Sequence, residues 1–327
     1  MKRIQLVPRL VNKKDADPGL LVELQGLGRY YLFDLGANER ISKHELLRTS
    51  HVFVSHTHID HFVGFDRLLR HSLGERRDVH VFGPAGLLGN LEGKFAGYLW
   101  NLQEAGPTFV GHEIDGRTMR TRRYPGEHQF RGAELREEGL AADGAISTEE
   151  GVTVRCAALE HGITTLGYCV STAPFPAIRS EALARLGLSE GPWLAELKSA
   201  ALAGAAAGAT LVACGREHSL PELVRELVEM KSGDRIAYVT DTLFNERTLE
   251  SIAELARDAT VLFCEANFRD EDVERAKATS HLTASQAARF AAAAGVEKLV
   301  LFHISRKYEG DFGPSFEQAR AVFGAVE

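Results

Sequence analysis

The sequence predicts a mixed α/β fold, and two observations support that class. Short apolar runs rich in β-branched and aromatic residues alternate with segments that carry apolar residues at helical spacing. After residue 233 the alternation is regular, with strands predicted at 235–240, 260–265 and 298–302 and helices at 246–257, 283–294 and 314–322. The 327 residues, 44% of them hydrophobic and 25% charged, can bury the core that such a fold needs.

The first half of the chain repeats this pattern less regularly. Strands are predicted at 20–24, 30–34, 51–55, 79–82, 152–158 and 166–172, with two more β-rich runs inside 108–131. Helical spacing marks residues 61–71 and the segment from about 85 to 100. Residues 180–204 interrupt the pattern with two short helices. We therefore expect a single domain over 1–327 with a small helical insertion at about 180–204.

Charge and cysteine content exclude some classes of protein. The formal net charge of −7 gives no overall sign of a nucleic-acid binder. One basic cluster is interpreted as ordinary solvated surface, and it consists of Arg117, Arg120, Arg122 and Arg123. The four cysteines form no C-x-x-C pair, and no segment resembles a signal peptide or a membrane span. These features predict a cytoplasmic protein that does not associate with membranes.

The segment His-Thr-His-Ile-Asp-His at residues 56–61 concentrates metal-ligand side chains between a predicted strand and a predicted helix. His56 and His58 are two residues apart, so on an extended backbone they point the same way and suit a zinc-type ion. Asp60 and His61 follow as the chain turns and can serve a second ion. The alternative, a polar loop with chance histidines, is disfavoured because four of the six positions are ligand types.

Three later segments share one pattern, in which an apolar strand is followed by a ligand-type residue and a turn. His161, Asp241 and His303 occupy that ligand position. Each residue alone is weak evidence, since a single histidine after a strand is more often a capping or core residue. Together with residues 56–61, they predict a site for two metal ions at the carboxyl ends of the strands.

The motifs resemble those of a known family. Residues 56–61 resemble the H-x-H-x-D-H signature of the metallo-β-lactamase superfamily. Four later segments resemble motifs of its ribonuclease Z (tRNase Z) branch, in order along the chain: 239–242, 264–268, 281–288 and 302–308. The resemblance implies an αββα sandwich, in which two mixed β-sheets are flanked by helices. It also implies a homodimer.

The resemblance further implies a role for each matching residue. One metal ion would be held by His56, His58 and His161, and the other by Asp60, His61 and His303. Asp241 would bridge the two ions. His281 would contact the scissile phosphate and Glu265 would orient His281. Asp60, beside the nucleophile, can orient it and accept its proton.

These roles imply a metal-dependent hydrolase with two divalent ions, zinc first and manganese or iron as alternatives. The leading function is a phosphodiesterase or endoribonuclease of the ribonuclease Z type, acting on RNA such as precursor tRNA at its 3′ side. The alternative is a hydrolase of small phosphodiesters, sulfate esters or lactones, because the same metal centre activates all of these. A metal-binding scaffold without turnover is a third reading, disfavoured because every expected ligand is present.

The chain departs from the family pattern in three places. It lacks the glycine-rich segment near the N-terminus, it has no long Gly/Pro-rich arm between His161 and Asp241, and residues 83–151 are enlarged. The departures leave the metal chemistry intact but leave the substrate open. One hypothesis is that the basic cluster around Arg120 replaces part of the missing RNA contact.

Overall fold

Residues 3–101, 106–141, 143–206 and 208–327 are described by a computed structural model, and they divide into two units. The larger unit contains the described residues of Ile4–Ser171 and Asp234–Glu327. The smaller unit contains Arg3 and the described residues of Thr172–Gly233. Among the described residues, no helix is long and apolar enough to cross a membrane.

An eight-stranded sheet in the larger unit follows the order of the chain. Its strands are β1 (Gln5–Leu10), β2 (Leu20–Gln25), β3 (Arg29–Phe33), β4 (Thr49–Phe53), β5 (Asp78–Pro84), β6 (Thr108–Asp115), β7 (Thr118–Pro125) and β8 (Arg136–Gly139). The central strands β3 to β6 are parallel, and the outer pairs are antiparallel. The sheet is therefore mixed.

A six-stranded sheet has the order β18-β17-β16-β11-β10-β9. Its strands are β9 (Ala145–Glu149), β10 (Val152–Glu160), β11 (Thr164–Thr172), β16 (Arg235–Val239), β17 (Val261–Glu265) and β18 (Leu299–Phe302). Strands β16 to β18 are parallel, whereas β11 pairs antiparallel with β16. The last three strands correspond to the regular α/β pattern predicted after residue 233.

Helices cover the outer faces of both sheets. Residues of α1 (Lys43–Arg48), α3 (Phe65–Ser72) and α4 (Leu87–Ala96) pack in one apolar cluster with the eight-stranded sheet. Residues of α8 (Glu246–Leu255), α10 (Ala284–Ala294) and α11 (Gly313–Val322) pack in another with the six-stranded sheet. A third cluster joins the inner faces of the two sheets, with Phe33, Phe53 and Tyr238 among its members. The predicted layering of helices, two mixed sheets and helices is thus confirmed.

The smaller unit has helices and strands of its own. Its helices are α5 (Ser180–Arg185), α6 (Trp193–Ala203) and α7 (Leu220–Leu227), and its strands are β12 (Phe175–Ile178), β13 (Thr210–Ala213), β14 (Arg216–Ser219) and β15 (Val228–Lys231). The strands form two antiparallel pairs, β12 with β15 and β13 with β14. Trp193, Leu197 and Leu227 lie in its apolar core. The insertion expected at about 180–204 falls within this unit, which is wider than that range and contains strands as well as helices.

Some elements differ from the sequence-based expectation. Strand β1 was not predicted, because Pro8 interrupts its apolar pattern; a proline is tolerated there since β1 is an edge strand. The single helix predicted over 61–71 is two helices, α2 (Ile59–Phe62) and α3, separated at Gly64. A Cβ at Gly64 would lie 2.3 Å from the carbonyl oxygen of Gly36, so this position requires glycine. Helix α9 (Val273–Ala278) was also not predicted.

Candidate metal centre

The candidate site residues lie where strands of both sheets end. His56 follows β4, His161 follows β10, Asp241 follows β16, and His303 follows β18. Strands β16 and β18 run in the same direction as β17 between them, so their carboxyl ends share one edge of the six-stranded sheet. The structure brings together all seven residues that the sequence predicted as metal ligands. With His281, they form four overlapping groups of three residues, and the potential ligand atoms within each group lie within 4.8 Å of one another.

The first group contains His56, His58 and His161. Nε2 of His56 lies 2.9 Å from Nδ1 of His58, so two nitrogen atoms converge as the extended backbone of this segment predicts. Burial and the neighbouring His61 lower the pKa of His56 to about 2. A neutral imidazole is the form that binds a metal ion.

The second group contains Asp60, His61 and His303. Nε2 of His61 lies 3.6 Å from Oδ2 of Asp60, and Nε2 of His303 lies 3.9 Å from the same oxygen. The short helix α2 places Asp60 and His61 in its first turn, with His58 at its N-cap. The six-residue segment 56–61 therefore contributes potential ligand atoms to both groups.

Asp241 lies between the two groups. Its Oδ2 is 3.4 Å from Nε2 of His161, and its Oδ1 is 3.3 Å from Nε2 of His303. The carboxylate is buried, which alone would raise its pKa, but the facing imidazoles of His303 and His61 hold the pKa of Asp241 well below its usual value. Oδ2 also lies 3.4 Å from Nε2 of His61 in the second group, so the buried carboxylate of Asp241 contacts imidazoles of both groups.

The donor atoms fit a pair of divalent cations. Nε2 of His61 is fully buried and has no hydrogen-bond partner among the described residues, although a buried polar atom normally has one. Imidazole nitrogens and carboxylate oxygens are the ligands that zinc and similar ions prefer. These His/Asp groups are therefore candidate sites for divalent metal ions.

Asp34 supports the site and was missed by the sequence analysis, which treated it only as the end of a strand. Its buried Oδ2 lies 2.9 Å from Nδ1 of His61 and accepts a hydrogen bond from the hydroxyl of Tyr238. Ser55 donates to Asp34 through both its backbone N–H and its hydroxyl. Through these bonds Asp34 fixes the ring of His61 with Nε2 facing Asp241. The nearest signal in the sequence is an acidic residue at the end of an apolar strand.

Replacing Asp34 by Asn is expected to weaken metal binding about 10–100-fold, the usual cost of losing an outer-sphere carboxylate. The amide keeps the shape of the side chain, and its oxygen can take the place of Oδ2, but its NH₂ group then faces the backbone N–H of Ser55, a donor that Oδ1 of Asp34 accepts. Metal affinity measured by calorimetric titration tests this. The matched control is Asp143→Asn, a surface carboxylate whose partner is Arg155; affinity equal to that of the wild type in Asp34→Asn would contradict the assignment.

His281 and Glu265 form a pair next to Asp241. Nδ1 of His281 lies 2.9 Å from Oε2 of Glu265, which is completely buried at the end of β17. Burial alone would lower the pKa of His281, but Glu265 and Asp241 raise it to about 9. The other oxygen of Glu265 accepts from the backbone N–H of Thr242. Glu265 therefore has the contacts expected of a residue that orients His281.

An open cavity of about 600 Å³ lies at the candidate metal centre. His58, Asp60, His161, Asp241, His281 and His303 all face it. Among the described residues that line the cavity, Arg306 is the only Lys or Arg. Its side chain is 75% exposed, and its nearest carboxylate, Asp17, is 3.9 Å away.

Three of the four arginines in the basic cluster lie on β7, and each of these three pairs with a carboxylate. Arg120 pairs with Glu113 at 2.7 Å, Arg122 with Glu92 at 2.6 Å, and Arg123 with Asp78 at 2.9 Å. Arg117 donates to the carbonyl oxygen of Ala141. Because three of the four guanidinium groups already have an acidic partner, the hypothesis that this cluster binds RNA phosphates loses its electrostatic basis.

Paired His/Asp groups at the strand ends of an αββα sandwich define a metal-dependent hydrolase of the metallo-β-lactamase class, and comparisons agree. The family model described as the beta-lactamase superfamily domain matches residues 205–304. Ribonuclease Z of Deinococcus radiodurans is 33% identical over 302 residues, which cover 90% of this chain and 88% of that protein. The chain belongs to the ribonuclease Z family, whose members hydrolyse phosphodiester bonds.

Solved structures share the fold. The metallo-beta-lactamase fold protein YhfI from Bacillus subtilis matches with a TM-score of 0.57 and 14% identity, covering 98% of this chain and 93% of that one. The short form of human tRNase Z matches with a TM-score of 0.52 and 16% identity, covering 93% of each chain. At these identities the likeness establishes the fold alone, and it agrees with the predicted sandwich.

Proposed function

We propose that the protein is an endoribonuclease that uses two zinc ions and cleaves precursor tRNA at its 3′ side. The observation that carries this proposal is the His281–Glu265 pair, which lies next to Asp241 and the clustered His/Asp ligand atoms. The ribonuclease Z relatives support RNA as the substrate. Manganese or iron would suit the same His/Asp ligands.

We assign the ligands as the family resemblance implies: His56, His58 and His161 would hold one ion, Asp60, His61 and His303 the other, and Asp241 both. Each of these two sets of three coincides with one of the groups of close ligand atoms, which supports the assignment. When bound, two divalent ions lower the pKa of water and neutralise charge on the phosphate. The remaining chemistry is done by side chains of this chain.

Two residues are positioned to move protons. The side chain of Asp60 is 38% exposed and lines the cavity, so its free carboxylate oxygen can orient an attacking water and accept its proton. His281 donates through Nδ1 to Glu265, which leaves Nε2 free to protonate the departing ribose oxygen. The buried carboxylate of Glu265 favours the protonated imidazole and fixes its direction.

We also propose that the protein is a homodimer and that it is located in the cytoplasm. The family resemblance implies a homodimer. The four cysteines are free, as expected in the reducing cytoplasm where we place the protein.

The deciding experiment compares cleavage of a precursor tRNA with that of bis(p-nitrophenyl) phosphate, alongside the metal content of the protein. Asp241→Asn is expected to reduce metal affinity and both activities by at least about 100-fold, since a ligand matters more than the outer-sphere groups that contribute about 10–100-fold. Asp15→Asn is the matched control: Asp15 also lines the cavity but belongs to none of the ligand groups.

The possible outcomes test the proposed substrate and the proposed metal site separately. Cleavage of the precursor at its 3′ side supports the RNA function. Turnover of the small ester alone would contradict it and favour a hydrolase of small esters. Full activity in Asp241→Asn would contradict the proposed metal site itself.

A further inference from the structure

The backbone at His303 is held in an uncommon conformation. Its φ is 54°, in the left-handed region that non-glycine residues seldom adopt. Such a conformation persists only where the surrounding structure fixes it, and it is found preferentially at functional sites. The contacts that fix His303 therefore help to determine where its imidazole lies.

The conformation occurs just beyond the last paired residues of β17 and β18, Glu265 and Phe302. The backbone N–H of Ala266 donates to the carbonyl of Phe302 at 3.0 Å, and that of Ser305 donates to the carbonyl of Asn267, also at 3.0 Å. His303 and Ile304 lie between these two bonds, just after the end of β18.

The side chain of Asn267 also holds the backbone of this segment. Its Nδ2 donates to the carbonyl oxygen of His303 at 3.0 Å. Because a carbonyl only accepts, the amide nitrogen must be the atom that faces it. With the peptide held in this way, Nε2 of His303 lies 3.3 Å from Oδ1 of Asp241.

We propose that Asn267 is a positioning residue that holds His303 for the second metal ion. The sequence of this chain has asparagine where the family motif that residues 264–268 resemble has threonine. Glu265, two positions earlier, holds His281. The end of β17 thus supports two sides of the site, a metal ligand through Asn267 and the proposed proton donor through Glu265. This inference rests on the proposed division of ligands between two ions.

Titration of the metal-free protein with Co²⁺ tests the inference, with calorimetry and the visible absorption of bound cobalt as readouts. Asn267→Ala is expected to weaken the second equivalent about 10–100-fold and to alter its absorption, while the first equivalent binds as in the wild type. Asn267→Thr, which restores a hydroxyl donor, is expected to recover part of the loss. Thr279→Ala is the matched control, because Thr279 lines the cavity but bonds only to its own helix.

Two results would overturn the inference. Equal weakening of both equivalents in Asn267→Ala would indicate a general structural role, and two equivalents that bind as in the wild type would indicate no role. The proposed function fails separately, because loss of one cobalt equivalent can be observed whether or not the wild type cleaves RNA.

Discussion

His281→Ala is expected to lower kcat for an RNA phosphodiester by about 10²–10⁴-fold, the usual contribution of a positioned proton donor. The reason is that a ribose alkoxide is a poor leaving group and needs a proton. With bis(p-nitrophenyl) phosphate the loss should be far smaller, because p-nitrophenolate departs without one. The ratio of the two losses, measured as single-turnover rates with saturating metal, is therefore the readout.

Glu265→Gln provides the graded comparison. The amide keeps the volume of this buried side chain and can still accept a hydrogen bond from His281, but it removes the charge that favours a protonated ring. An intermediate loss on RNA is expected, again with little change on the p-nitrophenyl ester. Equal losses on both substrates would instead show that His281 acts as a metal ligand, an alternative that its 3.9 Å distance from Asp241 makes necessary to test.

How much of this site the sequence predicts depends on how far apart along the chain the contacting residues lie. Residues 56–61 are readable because an extended segment directs side chains two residues apart to the same side, and the structure brings His56 and His58 together accordingly. His161, Asp241 and His303 are readable because each follows an apolar strand. Their convergence, however, depends on strand order, which one sequence shows only through its resemblance to a family.

The supporting residues could not be predicted in the same way. Asp34 and His61 are 27 residues apart, and Asn267 and His303 are 36 apart. Neither pair has a spacing that marks it in the sequence, because both meet through neighbouring strands. Strand β1 and the strands of the smaller unit were missed for a related reason: short edge strands and isolated pairs carry little alternation of apolar and polar residues.

Three stacked histidines outside the candidate metal centre predict that the free energy of unfolding depends on pH. His51, His80 and His112 occupy neighbouring strands β4, β5 and β6, with ring centroids 4.9 and 5.2 Å apart. His51 and His112 are buried. Burial and the neighbouring His80 lower the pKa of both to about 3. In the unfolded chain a histidine titrates near its ordinary value of about 6.5.

Stability should therefore fall as the pH is lowered. Above about pH 6.5 neither state protonates these rings, so their full contribution to the free energy of unfolding is present. Between about pH 6.5 and the folded pKa of about 3, the unfolded state gains protons that the folded state does not. Each histidine then reduces the free energy of unfolding by about 1.4 kcal/mol per pH unit, so the pair reduces it by about 3 kcal/mol per unit.

His51→Phe isolates one of these contributions. Phenylalanine fits a site where His51 already stacks on Phe53 and Phe82. The substitution removes one hydrogen bond, between Nδ1 of His51 and the hydroxyl of Ser50, while Nε2 has no hydrogen-bond partner among the described residues. Urea unfolding from about pH 6 to about pH 4 should show a pH slope shallower by about 1.4 kcal/mol per unit than in the wild type. His128→Gln is the control, because that side chain is 70% exposed. The metal-centre histidines are common to all three proteins and cancel in the comparison, so an unchanged slope in His51→Phe would show that His51 is not held neutral by burial.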